Sequence, residues 1–280
     1  MERTNILVCL FFMFICMNIK INSACMIGPT PNVSITRLIN DKGALCLDGT
    51  PPAYYLDQGD GDGINNWVIY LQGGGWCSTV EECVDRSQRY FGSSKNLNES
   101  VQFVNILSKD SKTNPDFCSW NRVFIHYCDG SSYTGDVDTI DPATNITYRG
   151  GRIFNLVMED LLKRGMKNAK NAILSGSSAG GLAVILHCDR FQSFLPTGVK
   201  VKCFSNSAYF LHELSIAYLL NTRYVSCIKI APWLRRMKLK AYPEVFGDWF
   251  YDRRAINIID ISNVSKNCTD SGIQILPIRQ

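Results

Sequence analysis

A chain of 280 residues has room for one large domain with its own core, or for two small ones. Hydrophobic residues make up 46% and charged residues 19%, which excludes a disordered chain, and a formal charge of +4 spread along the sequence gives no nucleic-acid footprint. The densest basic cluster, Arg235-Arg236-Met237-Lys238-Leu239-Lys240, reads as a solvated face; a modest basic balance helps approach to an acidic polymer without identifying one.

Residues Ile6 to Met17 form an unbroken apolar run behind Arg3, and polar or small residues follow as far as Ala24. The run is too short to cross a bilayer comfortably and reads as the core of a secretory signal peptide, residues 1–24. Cleavage is expected near Ser23 or Ala24, with an uncleaved anchor as the alternative. No other segment approaches transmembrane length, so no membrane attachment is expected afterwards. Residues 25–280 are then the exported domain.

The first predicted strand is Trp67 to Leu71, and Gln72-Gly73-Gly74-Gly75-Trp76-Cys77 follows it directly. A glycine run after a strand lets backbone N–H groups converge on one small anionic site. It suits an oxyanion hole, a plain turn or a phosphate cradle, although the Gly-Lys-Ser/Thr ending of the last is absent. A second strand is predicted over Arg122 to Tyr127, with His126 inside it as a strand residue rather than a catalytic base. Apolar residues at 153, 154, 157, 158, 161 and 162 have helical spacing between Gly151 and Gly165, and Gly165 closes that helix.

A third strand, Ala172 to Leu174, runs into Gly176-Ser177-Ser178-Ala179-Gly180, and a helix is predicted from Gly181 to about Phe191. Strand, Gly-x-Ser-x-Gly and helix in that order suit a nucleophile elbow, in which a strained Ser178 projects its hydroxyl from the sheet. The glycine run after the first strand and the N–H of Ala179 are the matching candidates for an oxyanion hole. His187 lies nine residues further along the same helix, roughly 13 Å up its axis and turned away from the serine. A fourth strand is predicted over Val199 to Phe204, with His212 soon after. Strands alternating with helices indicate an α/β fold with a mostly parallel sheet and flanking helices.

In this architecture an acid and then a histidine follow the serine. Asp248, Asp252, Asp260 and Asp270 do follow it, but no histidine follows any of them. The usual triad therefore cannot be completed in its usual order.

Apart from Cys9 and Cys16 in the apolar leader, the cysteines form an even set, which in an exported chain suggests disulfides without giving their pairing. No Cys-x-x-Cys pair exists and there are only three histidines, so no metal site is expected. Sequons at Asn32, Asn98, Asn145, Asn263 and Asn267 fit a glycosylating secretory route.

Taken together, these residues resemble the plant pectin acetylesterase family, whose animal relative is the carboxylesterase Notum. The resemblance runs from about Ile39 to Phe210. It includes the segment from Lys42 through Leu45-Cys46-Leu47-Asp48-Gly49 to Tyr54, Gly73-Gly74-Gly75-Trp76-Cys77, Tyr127-Cys128-Asp129-Gly130 and the elbow through His187-Cys188-Asp189. It implies an α/β-hydrolase-like esterase, secreted to the cell wall, that removes acetyl groups from pectin through an acyl-enzyme on Ser178. It further implies Gly74, Gly75 and Ala179 as oxyanion donors, no cofactor and a monomer.

Several departures qualify that picture. The family has Glu where this chain has Gln72, and Asp where it has Asn206. Its acid and base lie near Tyr-Asp-Ser and a later Asn-Cys-His, and neither motif is present. From His212 onward the likeness fades, so residues 211–280 are expected to be divergent or truncated, without the last strands of the sheet. Little or no esterase turnover is expected. The alternative is a non-catalytic wall protein that binds pectin or partners; a lipid carboxylesterase like Notum would need an apolar acyl pocket.

Overall fold

The structure is a computed structural model and describes residues 25, 30–39, 43–140, 142–206 and 250–253. The expected signal peptide, His212, Asp248, Asp260, Asp270, Cys227, Cys268, the basic cluster at 235–240 and the sequons at Asn263 and Asn267 lie outside the described residues. The expectation about the last strands also falls there.

Seven strands form one sheet: β1 Asn32–Arg37, β2 Ala53–Asp57, β3 Asn66–Leu71, β4 Ser100–Gln102, β5 Asn121–Ile125, β6 Asn171–Ser177 and β7 Lys200–Asn206. Their spatial order is β4-β1-β2-β5-β3-β6-β7. Strands β5, β3, β6 and β7 are mutually parallel, with Leu71 opposite Ile125 on one side and Gly176 on the other. Strands β2, β1 and β4 extend the sheet by antiparallel pairing. Among the described residues three α-helices complete the frame: α1 Val80–Ser87, α2 Gly150–Lys163 and α3 Ala179–Phe194. This is the α/β class expected from the sequence, with strand and helix ends moved by a few residues. His126 is one such case, since β5 stops at Ile125 and leaves it just past the strand.

The central strands are covered on both faces, which is why they read as continuous apolar runs. Trp67, Ile69 and Leu71 of β3 join Phe154, Val157 and Leu161 of α2 and Ala183, Val184 and Phe191 of α3 in one buried cluster. Val68, one residue out of phase, turns to the other face with Tyr55, Phe117, Trp120, Ile173 and Phe250. The two-residue period of a strand thus divides one sequence between two cores. Helix α2 ends where its spacing and composition say it should, with Gly165 in the left-handed region at φ +117°.

Four disulfides tie the described residues together: Cys25–Cys118, Cys46–Cys128, Cys77–Cys83 and Cys188–Cys203. Two act near the elbow. Cys77–Cys83 fastens the glycine loop to α1, and Cys188–Cys203 fastens α3 to β7. Among the described residues no helix is long and apolar enough to cross a membrane.

Candidate active site

Strand β6 ends at Ser177 and α3 begins at Ala179, so Ser178 alone makes the turn between them. Its backbone sits at φ +57°, ψ −124°, outside the regions a residue with a Cβ normally occupies. Such a conformation costs about 1–3 kcal/mol and persists only where the surroundings over-determine it. Here the Ser178 N–H donates to the Asn206 carbonyl of β7 at 3.0 Å, and the Leu182 N–H donates to the Ser178 carbonyl at 3.0 Å. The sheet holds the serine from one side and the first turn of the helix from the other.

The glycines two residues before and after Ser178 are required by close packing. A Cβ on Gly176 would lie 2.4 Å from the Gly180 carbonyl oxygen, and one on Gly180 would lie 2.1 Å from the Leu71 oxygen. Only bare backbone lets α3 start this near the ends of β6 and β3.

The loop after β3 closes on the same point. A Cβ on Gly73 would stand 2.1 Å from the Ser177 oxygen and 3.2 Å from the Ser178 Cβ, so this loop lies directly against the elbow. Gly74 and Gly75 follow at φ +152° and +67°, conformations that side chains strongly resist. No protein group among the described residues accepts from the Gly74 or Gly75 N–H. Ala179, buried, supplies a first-turn N–H that has no intrahelical partner. The structure therefore brings the two glycine-rich motifs, about a hundred residues apart in sequence, into contact.

Three side chains that the sequence reading left without a role grip this loop through its carbonyls. The Tyr133 hydroxyl donates to the Gln72 oxygen at 3.2 Å, Arg86 to the Gly74 oxygen at 2.9 Å, and the Tyr127 hydroxyl to the Gly75 oxygen at 2.7 Å. Burial pushes both phenols up, so they remain O–H donors. Buried Asp129 sets the turn that delivers Tyr133. Its Oδ2 accepts from the Ser131 N–H, the Ser131 hydroxyl and the Tyr133 N–H at 3.1, 2.7 and 3.0 Å. Burial raises the carboxyl of Asp129, and its Oδ1 has no partner among the described residues. The signal for these residues was the segment Tyr127-Cys128-Asp129-Gly130, recognised as a motif but not as a support.

Neither described histidine serves Ser178. His126 is fully buried, with Nδ1 2.9 Å from the Gln72 Oε1 and Nε2 3.0 Å from the Ser93 oxygen. His187 has Nε2 2.8 Å from the Tyr133 oxygen and stacks on Phe154 at 4.3 Å. Burial lowers its pKa as well. Asp252, which alone of the four later acids considered is described, accepts from Lys200 at 2.7 Å and also from Lys202. The Gln72 Oε1 accepts from the Tyr127 N–H at 3.0 Å and lies 2.9 Å from the His126 Nδ1.

His126 makes stability depend on pH. Burial pulls its pKa from 6.5 down to about 4, against the Ser93 carbonyl, which favours the protonated ring. The folded state keeps the ring neutral where the unfolded chain would protonate it. The stability this represents is complete above about pH 6.5 and is lost as the pH falls towards 4; at 1.36 kcal/mol per unit it is of order 2–3 kcal/mol. Thermal unfolding from pH 7 to 4 is expected to show that loss, and His126→Gln is expected to flatten it. An unchanged slope in the variant would rule His126 out as its source.

On the face of the sheet opposite α2 and α3 lies a cavity of about 270 Å³, walled by Tyr55, Tyr70, Tyr90, Phe103 and Phe124.

Comparison with known proteins gives the family and the fold. The pectinacetylesterase family model matches residues 29–233. Pectin acetylesterase 11 of Arabidopsis thaliana is 53% identical over 175 residues, which are 62% of this chain and 45% of that protein. The palmitoleoyl-protein carboxylesterase notum1a of Danio rerio is 34% identical over 179 residues, 62% of this chain and 35% of that protein. Among solved structures, the Wnt deacylase Notum from Drosophila superposes with a TM-score of 0.58 at 28% identity, covering 65% of this chain and 54% of that one. The chain thus spans less than half the length of the curated relatives it matches.

Proposed function

Because this chain belongs to the pectinacetylesterase family, we propose that its elbow and glycine loop form an acyl-transfer site for acetyl esters of pectin. Ser178 attacks the acetyl carbonyl, and the N–H groups of Gly74, Gly75 and Ala179 receive the oxyanion of the tetrahedral intermediate. The positive end of α3 adds to that stabilisation. The intermediate collapses with loss of the sugar hydroxyl, and water then releases acetate from the acylated serine. The chemistry asks for no cofactor. The observation that carries this reading is the seating of Gly73 against Ser177 and Ser178, which makes two weak motifs one site.

Among the described residues no histidine is free to serve Ser178, and slow turnover is the expected result. The route above needs a base on Ser178, and both His126 and His187 are committed elsewhere. Removing one member of a serine triad leaves only roughly 10³–10⁴-fold acceleration over water, supplied by the oxyanion hole and binding. The same observation favours a second role as a pectin-binding wall protein with little catalysis. In either role residues 25–280 act as one exported, monomeric domain after loss of the leader. The sequon residues Asn32, Asn98 and Asn145 are exposed, as glycosylation requires.

Substrate class is tested by offering acetylated pectin and a palmitoleoylated peptide in parallel. Acetate release above the water rate with no fatty-acid release is expected. The reverse preference would sink the pectin reading in favour of a Notum-like one.

A further inference from the structure

The peptide unit between Gly74 and Gly75 has glycine on both sides, and the two glycines have φ angles of +152° and +67°. Without Cβ atoms little opposes a flip of this unit about its neighbours. The two orientations are chemically opposite. In one the Gly75 N–H faces the site; in the other the Gly74 carbonyl does, and it would repel a developing oxyanion. Something must choose between them.

Helix α1 provides the choice. Thr79 caps it, accepting from the Glu82 N–H at 3.2 Å, while Glu82 accepts from the Ser78 N–H at 2.8 Å. The Cys77–Cys83 disulfide bolts its first turn to the end of the glycine loop. Asp85 and Arg89 pair with each other on the exposed side at 2.6 Å. Arg86 turns inward instead. Its Nη2 donates to the Gly74 oxygen at 2.9 Å and its Nε to the Phe91 oxygen at 3.0 Å. Its guanidinium also lies over the rings of Phe91 and Tyr127, at 5.4 and 5.0 Å.

No carboxylate lies in ion-pair contact with Arg86 among the described residues; burial lowers its pKa, and Tyr127 and Asp129 oppose that from longer range. A half-buried cation satisfied by two carbonyls and two aromatic faces is a poor device for stability alone. It is a good device for fixing a carbonyl, because a charge-assisted hydrogen bond is roughly twice as strong as a neutral one.

We infer that Arg86 is a positioning residue for the oxyanion hole: by holding the Gly74 carbonyl it locks the Gly74–Gly75 peptide with the Gly75 N–H turned away from Arg86 and Phe91 and free for the oxyanion. The trans peptide makes this necessary, since its C=O and N–H point in opposite directions. A Cβ on Gly74 would meet the Phe91 ring at 2.6 Å, which marks the Arg86 side of the loop, whereas Gly73 marks the Ser178 side. The inference rests on the reading of Gly75 as an oxyanion donor.

Two variants and two readouts test it. Arg86→Met is expected to lower the residual rate of acetyl-ester hydrolysis by about 100- to 1,000-fold with KM unchanged, the loss that follows removal of one oxyanion donor. Arg86→Ala is expected to regain rate on addition of guanidinium ion, which a merely structural role would not allow. Independently of activity, ¹⁵N relaxation dispersion at Gly75 is expected to show exchange between two peptide orientations in Arg86→Met and none in the unaltered protein. A variant that is folded, as active as the original and free of exchange at Gly75 would overturn the inference. If the unaltered protein gives no acceleration over water, the esterase reading fails. The lock is then decided by the Gly75 exchange alone, its presence in Arg86→Met supporting the lock and its absence refuting it.

Discussion

Gly180→Ala is expected to destabilise the protein by about 3 kcal/mol or more, read from urea unfolding. The sign is informative. Gly180 lies inside α3, and at an ordinary helix position alanine is better than glycine by about 0.5–1 kcal/mol. Here the added methyl would stand 2.1 Å from the Leu71 oxygen and 2.9 Å from the Gln72 carbonyl, both backbone atoms that cannot turn aside. Either α3 lifts from the sheet or the glycine loop moves off the elbow. Gly75→Ala is the contrasting case, because its φ of +67° is unfavourable but nothing lies within 4 Å of the new Cβ. It is expected to cost only about 1–2 kcal/mol. Equal stability of Gly180→Ala and the unaltered protein would mean that strand, loop and helix do not converge as described.

That convergence explains which parts of the molecule were legible in sequence. Strands β3, β5 and β6 are buried on both faces, so Val68-Ile69 and Ile173-Leu174 read as strand without knowledge of their partners. The elbow was legible for a local reason, since Gly176, Ser178 and Gly180 answer to contacts made by one strand and one helix. Strands β1, β2 and β4 were not legible. β1 is six residues with only Val33 and Ile35 apolar, β2 follows Pro51-Pro52 and ends in Asp57, and β4 has three residues. What makes them strands is antiparallel pairing between distant segments, such as Val33 with Val101 and Tyr55 with Phe124. No local period encodes that.

Helix α1 is a different kind of omission. Thr79 followed by Glu82 is a capping signature that was available in the sequence, but only Val80, Cys83 and Val84 are apolar in Val80–Ser87. It went unread because its stability comes from its cap and from Cys77–Cys83 rather than from an apolar stripe. With α1 went Arg86. Tyr127 and Tyr133 were hidden for a related reason, because they act on carbonyls of a loop more than fifty residues away, and Asp129 because it acts through the turn that delivers Tyr133. Histidine was read well by elimination. His187 faces a core carbonyl, as its place on the helix implied, and His126 is a structural residue, although it stands one position beyond its strand.

These observations separate two things usually found together in a serine esterase. The strained serine, its glycines and the grip on the loop are all present among the described residues, whereas neither described histidine is available to the serine. Serine and base act as a unit, so once one is missing, removing the other costs little more. The decisive measurement is acetate release from acetylated pectin by the 280-residue protein and its Ser178→Ala variant, side by side. The two are expected to run at the same rate within about twofold, no faster than roughly 10³–10⁴-fold over water. Turnover at about 1–10³ s⁻¹ that disappears in Ser178→Ala would contradict the account and show that a base reaches the serine, with His212 the first residue to replace.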